Sequence, residues 1–238
     1  MTMRQIDLAI GEFYHLYNRG NSKQVIFKDR ADYHHFMKLM FVSNSSHRFV
    51  FRNLADDSFW DKNMKDPYIA IGLYCLMPNH FHIAATPLVE NGISLYMQRL
   101  CTAYSMYFNK KYERTGTLFE GRFKSRYVDS DEYLKYLYAY IHLNPVKLID
   151  KDRKEQGSKD AAKSFDFAAS FQYSSLQDYL GSNRPESLIL DKQPFPEYFA
   201  TSEETKSELF EWLTYQEFII NQTQPSQKID SNLDRGVP

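Results

Sequence analysis

Apolar positions recur along the chain with two periods, and the switches between them mark the elements. Residues 12–17 (EFYHLY) read as a first strand, closed by the polar run Asn18-Arg19-Gly20-Asn21, which predicts a turn. From Lys28 to about Val42 the period lengthens, and Tyr33, Phe36, Met40 and Phe41 fall on one side of a helix. Residues 44–66 are polar and irregular, as a loop or insertion would be. Two strands follow, Tyr68 to Met77 as a long apolar run and Phe81 to Ala85. Asn91 and Ser94 open an amphipathic helix with Ile93, Met97, Leu100, Tyr104 and Phe108 at steps of three and four. It ends in Lys110-Lys111, cations that suit a helix C-terminus.

Thr117 to Val128 returns to an extended pattern. Asp129, Ser130 and Asp131 then offer a cap and first-turn carboxylates for a helix from about Glu132 to Leu143, which Pro145 stops. The order β-α-β-β-α-β-α predicts an α+β fold. Its form is a ferredoxin-like antiparallel sheet with helices on one face and a further helix packed on it. Beyond Lys151 the composition shifts. Asp152 to Ser164 is charged and linker-like, residues 171–180 (FQYSSLQDYL) suit a short docked segment, and Glu203 to Ile220 suit a helix. From about Gln222 the pattern is that of a disordered tail. The expected organisation is a body over 1–150, a partly helical extension over 151–221 and a tail over 222–238.

Composition narrows this picture. Hydrophobic residues make up 43% and aromatics 16%, enough for a real core. No apolar run approaches the roughly 20 residues of a membrane span, and the N-terminal stretch does not read as a secretory leader. Cys75 and Cys101 lie in apolar stretches without CxxC spacing, which fits a reducing, cytoplasmic setting. The net charge of −1 hides an asymmetry: residues 1–151 carry 20 Lys+Arg against 15 Asp+Glu, and residues 152–238 carry 9 against 15. A basic body with an acidic tail is common in proteins that handle nucleic acid, and it also arises by chance. The acidity suggests an extension packed over the basic body, with autoinhibition as one consequence.

Three stretches could carry chemistry. In Pro78-Asn79-His80-Phe81-His82-Ile83, strand alternation turns His80 and His82 one way and Phe81 and Ile83 into the core. Two imidazoles about 7 Å apart along a strand can chelate one metal ion if a third ligand approaches; ordinary surface or core histidines also fall two apart. In Tyr140-Ile141-His142-Leu143-Asn144-Pro145, residues four apart share a helix face, so Tyr140 and Asn144 point the same way, subject to the bend that Pro145 favours. The helix also carries Tyr133, Tyr136 and Tyr138, and on its own it singles out none of the four. Arg122, Lys124 and Arg126 alternate with Phe123 and Tyr127, placing three cations on one face of an extended stretch. Such a row suits a phosphate backbone, and equally suits a guarded edge strand.

In this order and spacing, PNHFHI, YMQRLCTAYSMYFNKKY, GTLFEGRFKSRYV and YLYAYIHLNPVKL resemble the REP-associated tyrosine transposases, which belong to the single-tyrosine HUH transposases of bacterial insertion sequences. The likeness covers roughly residues 12–150, and FQYSSLQDYLG resembles the portion that follows the catalytic tyrosine in longer members. It implies that His80 and His82 are metal ligands, Asn144 a third ligand and Tyr140 the nucleophile. It also implies a divalent cation, Mg²⁺ or Mn²⁺. Two imidazoles and an amide make a softer donor set than Mg²⁺ prefers, so Mn²⁺ should serve at least as well. The implied reaction is cleavage and rejoining of single-stranded DNA through a 5′-phosphotyrosine, on a substrate with hairpin or palindromic elements, by a monomer or a homodimer. Arg122, Lys124, Arg126, Lys110 and Arg99 are the candidates for holding the strand, with Asn18 and Arg19 for bases or a hairpin. The alternatives are a catalytically idle DNA- or RNA-binding protein and a metal-dependent hydrolase built on the paired histidines.

Overall fold

The computed structural model describes residues 8–47, 60, 66–150, 160–198 and 201–214. Strands β1 (Tyr14–Arg19), β2 (Ile69–Met77), β3 (His80–Pro87) and β4 (Lys124–Tyr127) form one antiparallel sheet in the order β2-β3-β1-β4. Helix α1 (Arg30–Ser43) joins β1 to β2 and α2 (Gly92–Lys111) joins β3 to β4. The alternation and helical period read from the sequence therefore yield the ferredoxin-like order.

The two helices cover one face. Leu16, Phe81 and Ile83 from the sheet meet Phe36, Met40, Leu100 and Tyr104 in the main core, all fully buried. Helix α3 (Asp131–His142) lies on the opposite face, where Leu134, Leu137 and Ile141 pack on Leu73, Cys75, Met77 and Ala84. A bulge between Ile71 and Leu73 switches which β2 positions face each layer. Before it the odd positions face the main core, and after it Tyr74 and Leu76 do.

Helix α1 starts where its cap chemistry requires. The Asp29 side chain accepts from the Asp32 amide, and Asp32 reaches back to the Asp29 amide, a reciprocal cap that stops the helix from extending towards Lys28. Asp32 is fully buried and also accepts from Lys111 Nζ at 2.7 Å, Tyr112 Oη at 2.8 Å and Tyr107 Oη at 3.1 Å, so the end of α2 is pinned to the start of α1. Burial works against the Lys111 ammonium, but its bonds to Asp29 and Asp32 prevail and hold its pKa above the ordinary lysine value. Lys111→Met leaves the buried carboxylate without a cation, held only by two hydroxyls and the Lys28 and Asp29 amides. Because Lys111 is itself partly exposed, the expected loss is roughly 2–3 kcal/mol, read as a fall of about 4–12 °C in thermal midpoint.

The structure departs from the sequence reading in two places within the body. Strand β1 runs on through Asn18 and Arg19, because both pair across the sheet with Phe81 and His80, and the turn begins only at Asn21–Lys23. The stretch 117–128 contains regular strand only at Lys124–Tyr127; before it Gly121 takes φ 70° and Phe119 makes one isolated bridge to Gly20. Only part of the 44–66 loop is described. The linker up to residue 159, residues 215–220 of the last helix and the 222–238 tail lie outside the described residues.

The extension docks along the free edge of β2. Leu76 donates to the Tyr173 carbonyl at 2.9 Å, Ser175 to the Tyr74 carbonyl at 3.0 Å and Asp191 to the Ile71 carbonyl at 2.9 Å. Gly72 leaves room for the Phe195 ring, which a Cβ there would meet at 2.8 Å. Helices α4 (Ala161–Ser170), α5 (Leu176–Tyr179) and α6 (Ser202–Thr214) close a small core around Ala139, Leu143 and Val146. No described helix is long and apolar enough to cross a membrane.

Candidate active site

The alternation of β3 does what the sequence predicts: Phe81 and Ile83 enter the main core, and His80 and His82 turn to the α3 face. Because α3 covers that face, both histidines are fully buried. Their ring centroids lie 4.9 Å apart at 83°. Tyr140, on the inward side of α3, meets His82 edge to face at 5.3 Å. The paired histidines of β3 and the tyrosine of α3, which the sequence places on two separate elements, therefore share one site.

Two residues that sequence reasoning passed over complete the surroundings. Asn79 Nδ2 donates to the Lys23 carbonyl at 3.4 Å, which orients the amide so that Oδ1 faces His80 Nδ1 at 2.6 Å. A carbonyl oxygen only accepts, so His80 Nδ1 carries the proton and, in the neutral ring, Nε2 carries the lone pair. His15, from β1, places Nε2 2.9 Å from His82 Nδ1 and lies 6.2 Å from the Tyr140 ring. With Nδ1–H of His82 donating to it, His82 Nε2 likewise becomes the donor nitrogen. This is the arrangement by which outer partners orient imidazole ligands. Asn79 adjoins the paired histidines in sequence and was open to recognition; His15 depends on strand register, which no local pattern reveals.

Asn144 sits one residue beyond the α3 C-cap, at the start of a 3₁₀ turn (Asn144–Leu148) imposed by Pro145, so the helical alignment with Tyr140 is not kept. It is fully buried, and neither its Oδ1 nor its Nδ2 has a hydrogen-bond partner among the described residues. An amide buried in that way carries a penalty of about 1–3 kcal/mol unless something binds it. Among the described residues no group of three His, Cys, Asp or Glu side chains is placed to hold a metal ion. On the same turn Lys147 places Nζ 4.4 Å from the Tyr140 ring centroid.

The cation row is split. Lys124 pairs with Tyr17 and Arg126 with His15 across β1, so both share the histidine face. Arg126 lies over Tyr133 at 4.6 Å, and Lys124 lies 5.9 Å from the Tyr17 ring. Arg122 precedes the strand and is exposed. Arg99 and Lys110 belong to α2, behind the sheet, and Arg99 is tied to the Ser45 and His47 carbonyls and Tyr68 Oη. Asn18 gives its amide to the Gly121 carbonyl at 3.3 Å, and Arg19 is paired with Glu120. These four residues are thus engaged elsewhere or displaced from the site.

His142, the other histidine of the YIHLNP run, is structural. Its Nε2 meets Ser175 Oγ at 2.9 Å, and burial pushes its pKa down to about 3. It holds the extension to α3 and has no place beside Tyr140.

Residues 31–144 match the family model described as "Transposase IS200 like". Among solved structures, one described as the structure of a REP-associated tyrosine transposase bound to a REP hairpin is similar, at 10% identity and a TM-score of 0.48, over 78% of this chain and 90% of that one. No curated protein matches.

Proposed function

We propose that the chain, whose residues 31–144 match the IS200-like transposase family, cleaves and rejoins single-stranded DNA through a covalent link to Tyr140. The observation that carries this reading is the meeting of Tyr140 with His82 at 5.3 Å, and of His82 with His80 at 4.9 Å, on one buried face of the sheet.

The donor set fits a divalent cation. The Asn79 carbonyl at Nδ1 makes Nε2 the donor atom of His80, His82 offers Nε2 in the tautomer whose Nδ1–H donates to His15, and Asn144 offers an amide oxygen with no other partner among the described residues. Two nitrogens and an amide oxygen favour Mn²⁺ over Mg²⁺. When bound, such a cation withdraws charge from the scissile phosphate and orients it.

The chain's own residues do the rest. The Tyr140 oxygen attacks phosphorus and loses its proton as the bond forms; the new bond is a 5′-phosphotyrosine and the bond broken releases a 3′-OH. Fixing Tyr140 against His82 and Tyr136 supplies the proximity part of the rate. Lys147 beside the Tyr140 ring opposes the charge that develops on its oxygen. A second 3′-OH reverses the step, so the phosphotyrosine conserves the bond and no nucleotide hydrolysis is needed. Lys124 and Arg126, on the same face, are placed to hold phosphates of the strand. The partner in this reading is DNA with hairpin or palindromic elements, handled by a body of residues 1–150 with the extension docked on it.

The test is incubation of the full chain with single-stranded oligonucleotides carrying imperfect palindromes. In Mn²⁺ a protein–DNA adduct that survives denaturation is expected, and EDTA should abolish it. Strand binding without any adduct across such substrates would support the idle binding protein. Cleaved DNA with both ends free of protein would support a hydrolase.

A further inference from the structure

Helix α3 carries three tyrosine rings in a row, the last of them Tyr140. Tyr133 and Tyr136 are near-parallel with centroids 6.2 Å apart, and Tyr136 and Tyr140 are near-parallel at 5.9 Å. Each end ring lies beneath a cation: Arg126 over Tyr133 at 4.6 Å and Lys147 over Tyr140 at 4.4 Å. The middle ring is the most accessible of the three, half-buried where its neighbours are 7% and 6% exposed. Trp212, from α6 of the extension, meets it edge-on at 5.5 Å and 61° and is half-buried itself.

We infer that Tyr136, walled by Trp212, is a stacking seat for one nucleobase of the single strand, next to the phosphate that Tyr140 attacks. The inference rests on the proposed function for its ligand and goes beyond it in naming the seat. The chemistry is that of single-strand binding: an aromatic face for the base, with cations on either side for the flanking phosphates. Tyr136 follows Tyr133 by one helical turn and precedes Tyr140 by another, so a base on it lies one ring from the nucleophile. Stacking accepts any base, so the seat positions the strand and does not read its sequence. Trp212 gives the extension a direct part in holding DNA: it forms a wall of the seat.

The experiment is fluorescence anisotropy with the full chain in EDTA, which separates binding from cleavage. The probes are an oligothymidylate and an oligonucleotide of equal length that is abasic throughout. Wild type should prefer the thymidylate by about tenfold, within the range measured for one base–aromatic stack. Tyr136→Ala should erase the preference while leaving affinity for the abasic strand unchanged, and Tyr136→Trp should restore it. Trp212→Ala should reduce the preference in part. A Tyr136→Ala protein that keeps the preference, or that loses affinity for both strands equally, would overturn the inference. A base preference that follows Tyr136 in a protein that forms no adduct would defeat the proposed chemistry and leave the seat standing. An adduct-forming protein whose base preference ignores Tyr136 would do the reverse.

Discussion

Tyr140→Phe is expected to abolish the covalent protein–DNA adduct and to lower strand cleavage at least about 10⁴-fold, the scale on which removal of a nucleophile acts. The substitution deletes one oxygen and keeps the ring that packs on His82 and Tyr136, so folding and strand binding should be nearly unchanged. The matched control is Tyr138→Phe. That ring lies among buried residues against His142 at 5.0 Å and Tyr179 at 4.9 Å, turned from the paired histidines, and its variant should form adduct as wild type does. Denaturing gels with labelled oligonucleotide, run beside a strand-binding titration, decide the matter. Adduct persisting in Tyr140→Phe would move the nucleophile to another side chain, and cleavage persisting without adduct would mean that water attacks.

The fold was legible because its signals are local. Strand alternation and helical period locate β1, α1, β2, β3, α2 and α3 to within about two residues, and Phe81 and Ile83 take the core side that alternation assigns. The pairing of His80 with His82 is local in the same sense. What joins them to Tyr140 is not. The helix carries four tyrosines, and only its docking on the sheet turns Tyr140 towards His82 and Tyr138 away. Register is the second hidden quantity. It brings His15 to His82 and sets Lys124 and Arg126 opposite Tyr17 and His15, whereas Arg99 and Lys110, equally basic in sequence, fall behind the sheet. Pro145 announced the end of the helix, but not the 3₁₀ turn beyond it, whose Val146 packs in the core closed by α4 and α6. The charge asymmetry suggested an acidic arm laid over a basic body. The described part of that extension does pack on the body, by completing a sheet edge and a core.

Deleting everything after Asp150 is therefore expected to leave little soluble, folded protein, and not a more active domain. The deletion strips three backbone hydrogen bonds from β2, at the Leu76 amide and the carbonyls of Tyr74 and Ile71, together with the Tyr179 hydroxyl on the Gly72 carbonyl. An apolar edge strand left in this state pairs with other chains. It also uncovers Ala139, Leu143 and Val146, which now face Phe165, Leu176, Leu209 and Leu213. Each large apolar side chain returned to water costs about 1.5–3 kcal/mol, and a whole domain holds only about 5–15 kcal/mol in reserve. His142 would lose Ser175, its hydrogen-bond partner inside the core. A milder variant isolates the latch: Ser175→Ala removes the hydroxyl that bonds His142 and the Tyr74 amide, and should cost about 1–3 kcal/mol without unfolding the chain. Soluble yield and thermal midpoint measure both. If the deleted protein instead stays folded and monomeric and binds single strands more tightly at low salt, the extension is a removable brake, and its docking on β2 contributes far less than its hydrogen bonds and buried leucines indicate.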